Sequence, residues 1–165
     1  KKMLFMGDEL GQAREWNCQR PLDWHLTSKV DHRGIQNLVR DLNRIYRDEP
    51  ALWELDADSG GFEWMAVDRK DDNVIAFVRN SPSTGRRILC VCNLSPVVRQ
   101  NYRIGVPAPG KYREILNTDA KVYGGGNVGN AGAVEADAVP CDGKPYSAPF
   151  TLPPLATAWL EVPRA

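Results

Sequence analysis

Val74-Ile75-Ala76-Phe77-Val78-Arg79, then Asn80-Ser81-Pro82-Ser83-Thr84-Gly85, then Ile88-Leu89-Cys90-Val91-Cys92 is an apolar run, a break and a second apolar run. β-Branched residues recur in both runs, and Asn, Ser, Pro and Gly at the break favour reversal of the chain. The pair reads as two strands. Working outward, Phe62–Val67 is a further candidate, joined to Val74 by the turn-like segment 68–73. Gln100–Val106, Tyr112–Asn117, Val134–Val139 and Ala156–Val162 follow on the other side. Short strands separated by Gly/Pro turns at this spacing predict an antiparallel sandwich or barrel. Most of the 14 Gly and 12 Pro of the chain fall in this part, where tight turns need them.

Before residue 50 the period changes. Ile35, Leu38, Val39, Leu42, Ile45 and Tyr46 recur at helical spacing, with Asp31 as an N-cap candidate and Pro50 past the end. The spacing predicts a helix over 31–48, its other face basic through Arg33, Arg40, Arg44 and Arg47 and therefore solvated or ion-paired. Upstream, Met3-Leu4-Phe5-Met6 followed by Gly7-Asp8-Glu9 reads as a short strand apolar on both faces, the pattern of a covered parallel sheet. Between strand and helix lies a Trp-containing loop, residues 10–29, of a length that is uncommon in compact domains and often functional. The first fifty residues thus form a strand, a long loop and a helix, an incomplete βα unit.

The 165 residues carry 21 Lys+Arg against 21 Asp+Glu and only 2 His. Neither part is polarised: 9 basic residues face 8 acidic ones up to Pro50, and 12 face 13 after it. That balance argues against a nucleic-acid or anionic-membrane partner, which an excess of Lys and Arg would serve. No apolar run is long enough to span a bilayer, and the apolar start is too short for a signal-peptide core. A cytoplasmic location is expected. The four Cys are expected as reduced thiols: Cys90 and Cys92 share one strand face at a spacing unsuited to a disulfide, and no C-x₂-C pair offers a zinc site.

Several motifs invite chemistry. Asp8 and Glu9 are adjacent and point apart, so they cannot face one sugar together and read as a hydrogen-bonded corner. Gly124-Gly125-Gly126-Asn127-Val128-Gly129 matches G-x-G-x-x-G but opens no helix, so it reads as a flexible surface loop. Asn93-Leu94-Ser95 fits a glycosylation acceptor followed by Pro96 and reads as silent. His25 and His32 have no metal-ligand spacing around them. The best functional patch is the loop carrying Arg14, Trp16, Asn17, Asp23 and Trp24. An indole face can take the C–H face of a sugar while the polar side chains bind its hydroxyls.

These residues also carry a resemblance. Lys2-Met3-Leu4-Phe5-Met6-Gly7-Asp8-Glu9-Leu10-Gly11-Gln12, Arg14-Glu15-Trp16-Asn17, Leu22-Asp23-Trp24-His25-Leu26 and His32-Arg33-Gly34-Ile35-Gln36 closely resemble the bacterial 1,4-α-glucan (glycogen) branching enzymes of the α-amylase superfamily. The likeness extends through Glu49-Pro50-Ala51-Leu52-Trp53, Gly61-Phe62-Glu63-Trp64, Tyr102-Arg103-Ile104-Gly105-Val106-Pro107 and Leu116-Asn117-Thr118-Asp119. It implies a mainly β chain: a C-terminal antiparallel β-sandwich domain over 51–165, preceded in 1–50 by the last strand-loop-helix unit of a (β/α)₈ barrel. It implies an α-glucan substrate, retaining transfer from an α-1,4 to an α-1,6 linkage, the rest of the barrel as partner, and no cofactor or metal. It places the 10–29 loop at the active-site rim, with Arg14, Trp16, Asn17, Asp23 and Trp24 as substrate-binding residues, and puts every catalytic carboxylate outside this chain. The family's usual Trp-Asn-His-Asp is here Trp16-Asn17-Cys18-Gln19, and Cys141 replaces a common aromatic. Two alternatives share these features. One is a β-domain binding glucan by itself, with Trp53, Trp64 and Trp159 as candidates whose apolar neighbours favour core packing. The other is a debranching or trehalose-forming relative.

Overall fold

Among the residues that the computed structural model describes, 2–66 and 68–164, eight strands form. They are β1 (Phe62–Ala66), β2 (Val74–Asn80), β3 (Arg87–Asn93), β4 (Arg99–Val106), β5 (Gly110–Asn117), β6 (Ala133–Ala136), β7 (Tyr146–Leu152) and β8 (Ala156–Glu161). Six of them build one sheet in the order β1-β2-β3-β8-β5-β6, and β4 and β7 pair as a second. Every pairing is antiparallel. The strands expected after residue 55 are all present, although the Val67 end of the first lies outside the described residues, and β6 stops short of Val139.

The register explains the core. Leu89 of β3 lies between Val78 and Leu160, and Val91 between Ala76 and Ala158. These side chains face Ile104, Val106, Ala148, Phe150 and Leu152 of the second sheet, and together they form the buried interior of a β-sandwich. Burying each larger side chain contributes about 1.5–3 kcal/mol. The alternate row runs Trp64–Phe77–Cys90–Trp159 across four strands on the outer face. There Ile88 and Cys90 are covered by Ala51, Leu52, Ile45 and Tyr46. β3 is therefore buried on both faces inside an antiparallel sheet.

The strand β7 lies where the sequence reading assigns none. Pro149 within it argues against a strand, yet it sits opposite Arg103 in a two-stranded sheet, where a missing N–H leaves no ladder bond unmade.

The expected helix is α1 (Val30–Asp48), and it ends before Pro50 as predicted. Asp31 is not its N-cap. Lys29 holds that position in extended conformation, its carbonyl accepting from Arg33 N at 3.0 Å, and Asp31 lies in the first turn, where its charge still suits the helix dipole. Gly34 lets α1 approach the 121–124 turn: a Cβ there would sit 2.4 Å from the Tyr123 carbonyl oxygen. Tyr123 Oη donates to Asp41 Oδ2 across the same contact at 2.7 Å. Burial and that bond push the Tyr123 phenol up to about 12. At the other end of α1, Arg86 Nε donates to Glu49 Oε2 at 2.6 Å, and its guanidinium also reaches Glu161, which pairs with Arg113.

Met3-Leu4-Phe5-Met6 is not a strand. The four side chains are exposed and the backbone is irregular. A parallel strand needs a neighbour to take its N–H and C=O groups, and no other described segment runs beside it. Instead Lys2 Nζ bonds the Leu52 carbonyl and Asp56 and lies over the Tyr46 ring.

Candidate functional site

The site begins at a tight corner. Gly7, at φ 101°, starts a 3-10 turn over Asp8–Leu10, in which Leu10 is fully buried. Asp8 Oδ2 accepts from Phe5 N at 3.0 Å and Glu9 Oε2 from Gly7 N at 3.1 Å. Both carboxylates thus hold their own backbone, as the sequence reading expects. Downstream, His32 Nδ1 lies 2.8 Å from the Leu10 carbonyl and ties the corner to α1.

From this corner the chain loops out and returns at Trp24, which opens a 3-10 turn (Trp24–Ser28) anchored by buried Leu26. Trp16 is 38% exposed, and its ring meets Phe5 edge-on at 5.6 Å. Trp24 is 55% exposed. Arg14 Nη2 donates to Asp23 Oδ1 at 2.6 Å and to the Pro21 carbonyl at 3.4 Å. Asn17 Oδ1 accepts from Gln19 N at 2.8 Å and shapes the tip. Of the five expected contact residues, the fold brings Arg14 and Asp23 together, leaves both indoles open to solvent and commits the Asn17 carbonyl oxygen to a turn. Gln12, which the sequence reading does not single out, bonds both Arg14 and Asp23; a lone polar residue beside a glycine gives no signal of its own.

A second aromatic surface lies on the outer face of the large sheet. Phe62 stacks on Phe77 at 5.0 Å, and Trp64 meets Phe62 edge-on at 4.8 Å. Trp64 is 51% exposed and Trp53 is also exposed, so core packing holds for Trp159 alone among the three. The reason is position: β1 is the sheet's edge, while Trp159 of β8 is central and packs beside Ile45 and Tyr46. Between α1, this face and residues 2–4 lies an apolar groove of about 480 Å³.

The remaining motifs are structural. The amides of Gly126 and Val128 donate to the two carboxylate oxygens of Asp119 at 2.9 Å each, so an internal anion already occupies the glycine loop and fastens it. Buried Asn93 spends its amide on the carbonyls of Val97 and Pro153 at 2.8 and 2.9 Å, which keeps it from any sugar transferase. All four Cys are free thiols. Cys90 is buried, and desolvation pushes its thiol up. Among the described residues no cluster of His, Cys, Asp and Glu could hold a metal ion, and no helix is long and apolar enough to cross a membrane.

Residues 64–163 match the family model described as the alpha amylase C-terminal all-beta domain. The chain belongs to that family. The matched span covers most of β1 and all of β2 to β8, so both sheets of the sandwich are the alpha amylase C-terminal domain. The likeness to full-length proteins reaches further forward, through the Trp16 loop. The chain is 53% identical to the 1,4-alpha-glucan branching enzyme GlgB of Myxococcus xanthus over 96% of its own length and 22% of that protein's. Enzymes of the same name from Burkholderia vietnamiensis and Cereibacter sphaeroides are 53% and 51% identical, each over 97% of this chain and 22% of the relative. The chain therefore spans about a fifth of the length of these curated relatives, and none of the three is named as a debranching or trehalose-forming enzyme.

Proposed function

We propose that these residues are the C-terminal part of a cytoplasmic glycogen branching enzyme. The observation that carries the reading is 53% identity to a branching enzyme over 96% of the chain, spanning loop, helix and sandwich alike. Residues 1–50 are then the closing βα unit of the catalytic barrel, and 51–165 the β-domain that braces it. Met3–Met6 becomes a strand once barrel neighbours supply its ladder bonds.

The reaction of such an enzyme breaks an α-1,4 glucosidic bond, holds the chain as a covalent glycosyl-enzyme and passes it to a 6-hydroxyl with retention. The resemblance to branching enzymes puts the nucleophile and the acid/base group on earlier strands of the barrel; Asp8 and Glu9 accept instead from the Phe5 and Gly7 amides. This chain contributes at the rim. The exposed faces of Trp16 and Trp24 stack on glucose rings, while Arg14, Asp23 and Asn17 present polar atoms beside them. A neutral polysaccharide needs no charged groove, which suits the zero net charge. No cofactor takes part. Purified, the 165 residues alone leave amylose unbranched; branching by them overturns the assignment of the carboxylates to the rest of the barrel. In the full-length enzyme Trp16→Ala and Trp24→Ala each raise the KM for amylose, and an unchanged KM in both removes the rim role.

The exposed Trp64 beside stacked Phe62 and Phe77 favours a second reading, a surface site that holds glucan away from the reaction. Glycogen in an affinity gel then retards the chain, and Trp64→Ala abolishes the retardation. Unretarded migration leaves the domain purely structural.

A further inference from the structure

One side chain closes the neck of the Trp16 loop. Gln12 Oε1 accepts from the N–H of Asp23 at 3.2 Å, and its Nε2 donates to the carbonyl of Arg14 at 3.0 Å. A single planar amide thus joins the outgoing and returning ends of an Ω-type loop. Arg14 adds a second closure through Asp23 and Pro21. Gln12 is itself held, its N–H donating to the Gly7 carbonyl at 3.3 Å. The space for its side chain exists because residue 7 is glycine: a Cβ there would fall 2.4 Å from Gln12 Cδ.

The placement of those bonds matters more than their number. Asp23, held by Oε1, immediately precedes Trp24, and Arg14, held by Nε2, is two residues before Trp16. Trp24 is 55% exposed, and Trp16, 38% exposed, rests on Phe5 edge-on, so the bonds at the loop's neck add to that one aromatic contact in fixing where the indoles point. We infer that Gln12 is a positioning residue that sets the presentation of Trp16 and Trp24 to an α-glucan through Arg14 and Asp23, touching no sugar itself. This rests on the proposed rim function.

The test is steady-state branching of amylose by the full-length enzyme carrying Gln12→Leu, Gln12→Glu, Trp16→Ala, Trp24→Ala and the pair Gln12→Leu with Trp16→Ala. Gln12→Leu keeps the volume and loses both bonds; KM rises about tenfold, the scale of one or two lost hydrogen bonds, while kcat stays within about twofold. Gln12→Glu still accepts from Asp23 N but cannot donate to Arg14, so its KM is intermediate. Because Gln12 acts through the indoles, the double variant is less impaired than the product of the single effects. A Gln12→Leu KM that is unchanged while Trp16→Ala raises it overturns the positioning role and leaves the rim function standing. A fall in kcat with KM unchanged, or full additivity in the double variant, overturns it equally. Trp16→Ala and Trp24→Ala both without effect on KM remove the rim function itself. If Gln12→Leu does not fold, Gln12→Glu decides by the same KM criterion.

Discussion

Leu4 and Leu89 sit in apolar runs that look alike, Met3-Leu4-Phe5-Met6 and Ile88-Leu89-Cys90-Val91, yet Leu4 is 54% exposed and Leu89 not at all. The difference lies in what stands beside each run. β3 has β2 on one flank, β8 on the other, a second sheet against one face and α1 with the 50–52 turn against the other. The Met3 run has Lys2 tethered to Leu52 and Asp56 and, among the described residues, no ladder partner. An apolar run is an offer of burial; whether it becomes a strand depends on neighbours that satisfy its backbone.

That contrast is open to direct attack. The largest effect is expected in the sandwich interior: Phe150→Ala destabilises the chain by about 3–5 kcal/mol in urea unfolding, because a fully buried ring leaves a cavity between two sheets. A loss below about 1 kcal/mol would show that the two sheets are not rigidly packed. Next comes the seam between α1 and the sandwich. Gly34→Ala improves helix propensity, yet the new Cβ meets the Tyr123 carbonyl, so a net loss of about 1–3 kcal/mol is expected from the same measurement. A gain in stability would mean that α1 can move away freely.

Acid probes the ion pairs of that seam, through Glu161, and of the sandwich, through Asp142. The Arg113 bond holds the Glu161 carboxyl below its ordinary range against the effect of burial, with Arg86 assisting. For Asp142, burial pushes upward, but the Gly105 amide and the Arg69 guanidinium bring the net shift below the usual value. Carboxyls lowered in the fold add stability that is complete above their unfolded values of about 4.5 and 3.8, and that stability disappears as pH falls through the folded ones. Unfolding midpoints therefore drop below about pH 5, and Glu161→Gln costs about 1 kcal/mol at neutral pH while flattening the fall. A variant with the same acid slope as the parent would exclude Glu161. The smallest effect belongs to the N-terminal run: Leu4→Ala changes stability by less than about 0.5 kcal/mol in the isolated chain. A cost like that of Phe150→Ala would erase the comparison.

Much of the sandwich was legible because strand signals are local. Alternation, β-branching and Gly/Pro turns marked β1 to β6 and β8 within one or a few residues at most ends. The one strand that escaped, β7, carries Pro149 and is tolerated only because its sheet has two strands. Asp31 was misplaced for a similar reason: capping depends on the backbone angle of Lys29, which no residue pattern displays. At the loop, the aromatic and charged residues were visible as a group, whereas Gln12 was not, since its meaning lies in two bonds that exist only once the loop has closed.

By itself, the sequence determined the types of most elements, the location of the helix and the family resemblance, all properties of residues close in the chain or of their identity. Tertiary structure alone decided the strand order β1-β2-β3-β8-β5-β6, the double burial of β3 and the exposure of Trp64 at a sheet edge. Those outcomes turn on pairing across long chain separations, such as Cys90 with Trp159. Loop-closure entropy, burial and backbone satisfaction compete there over the whole molecule, and no short window of residues contains the answer.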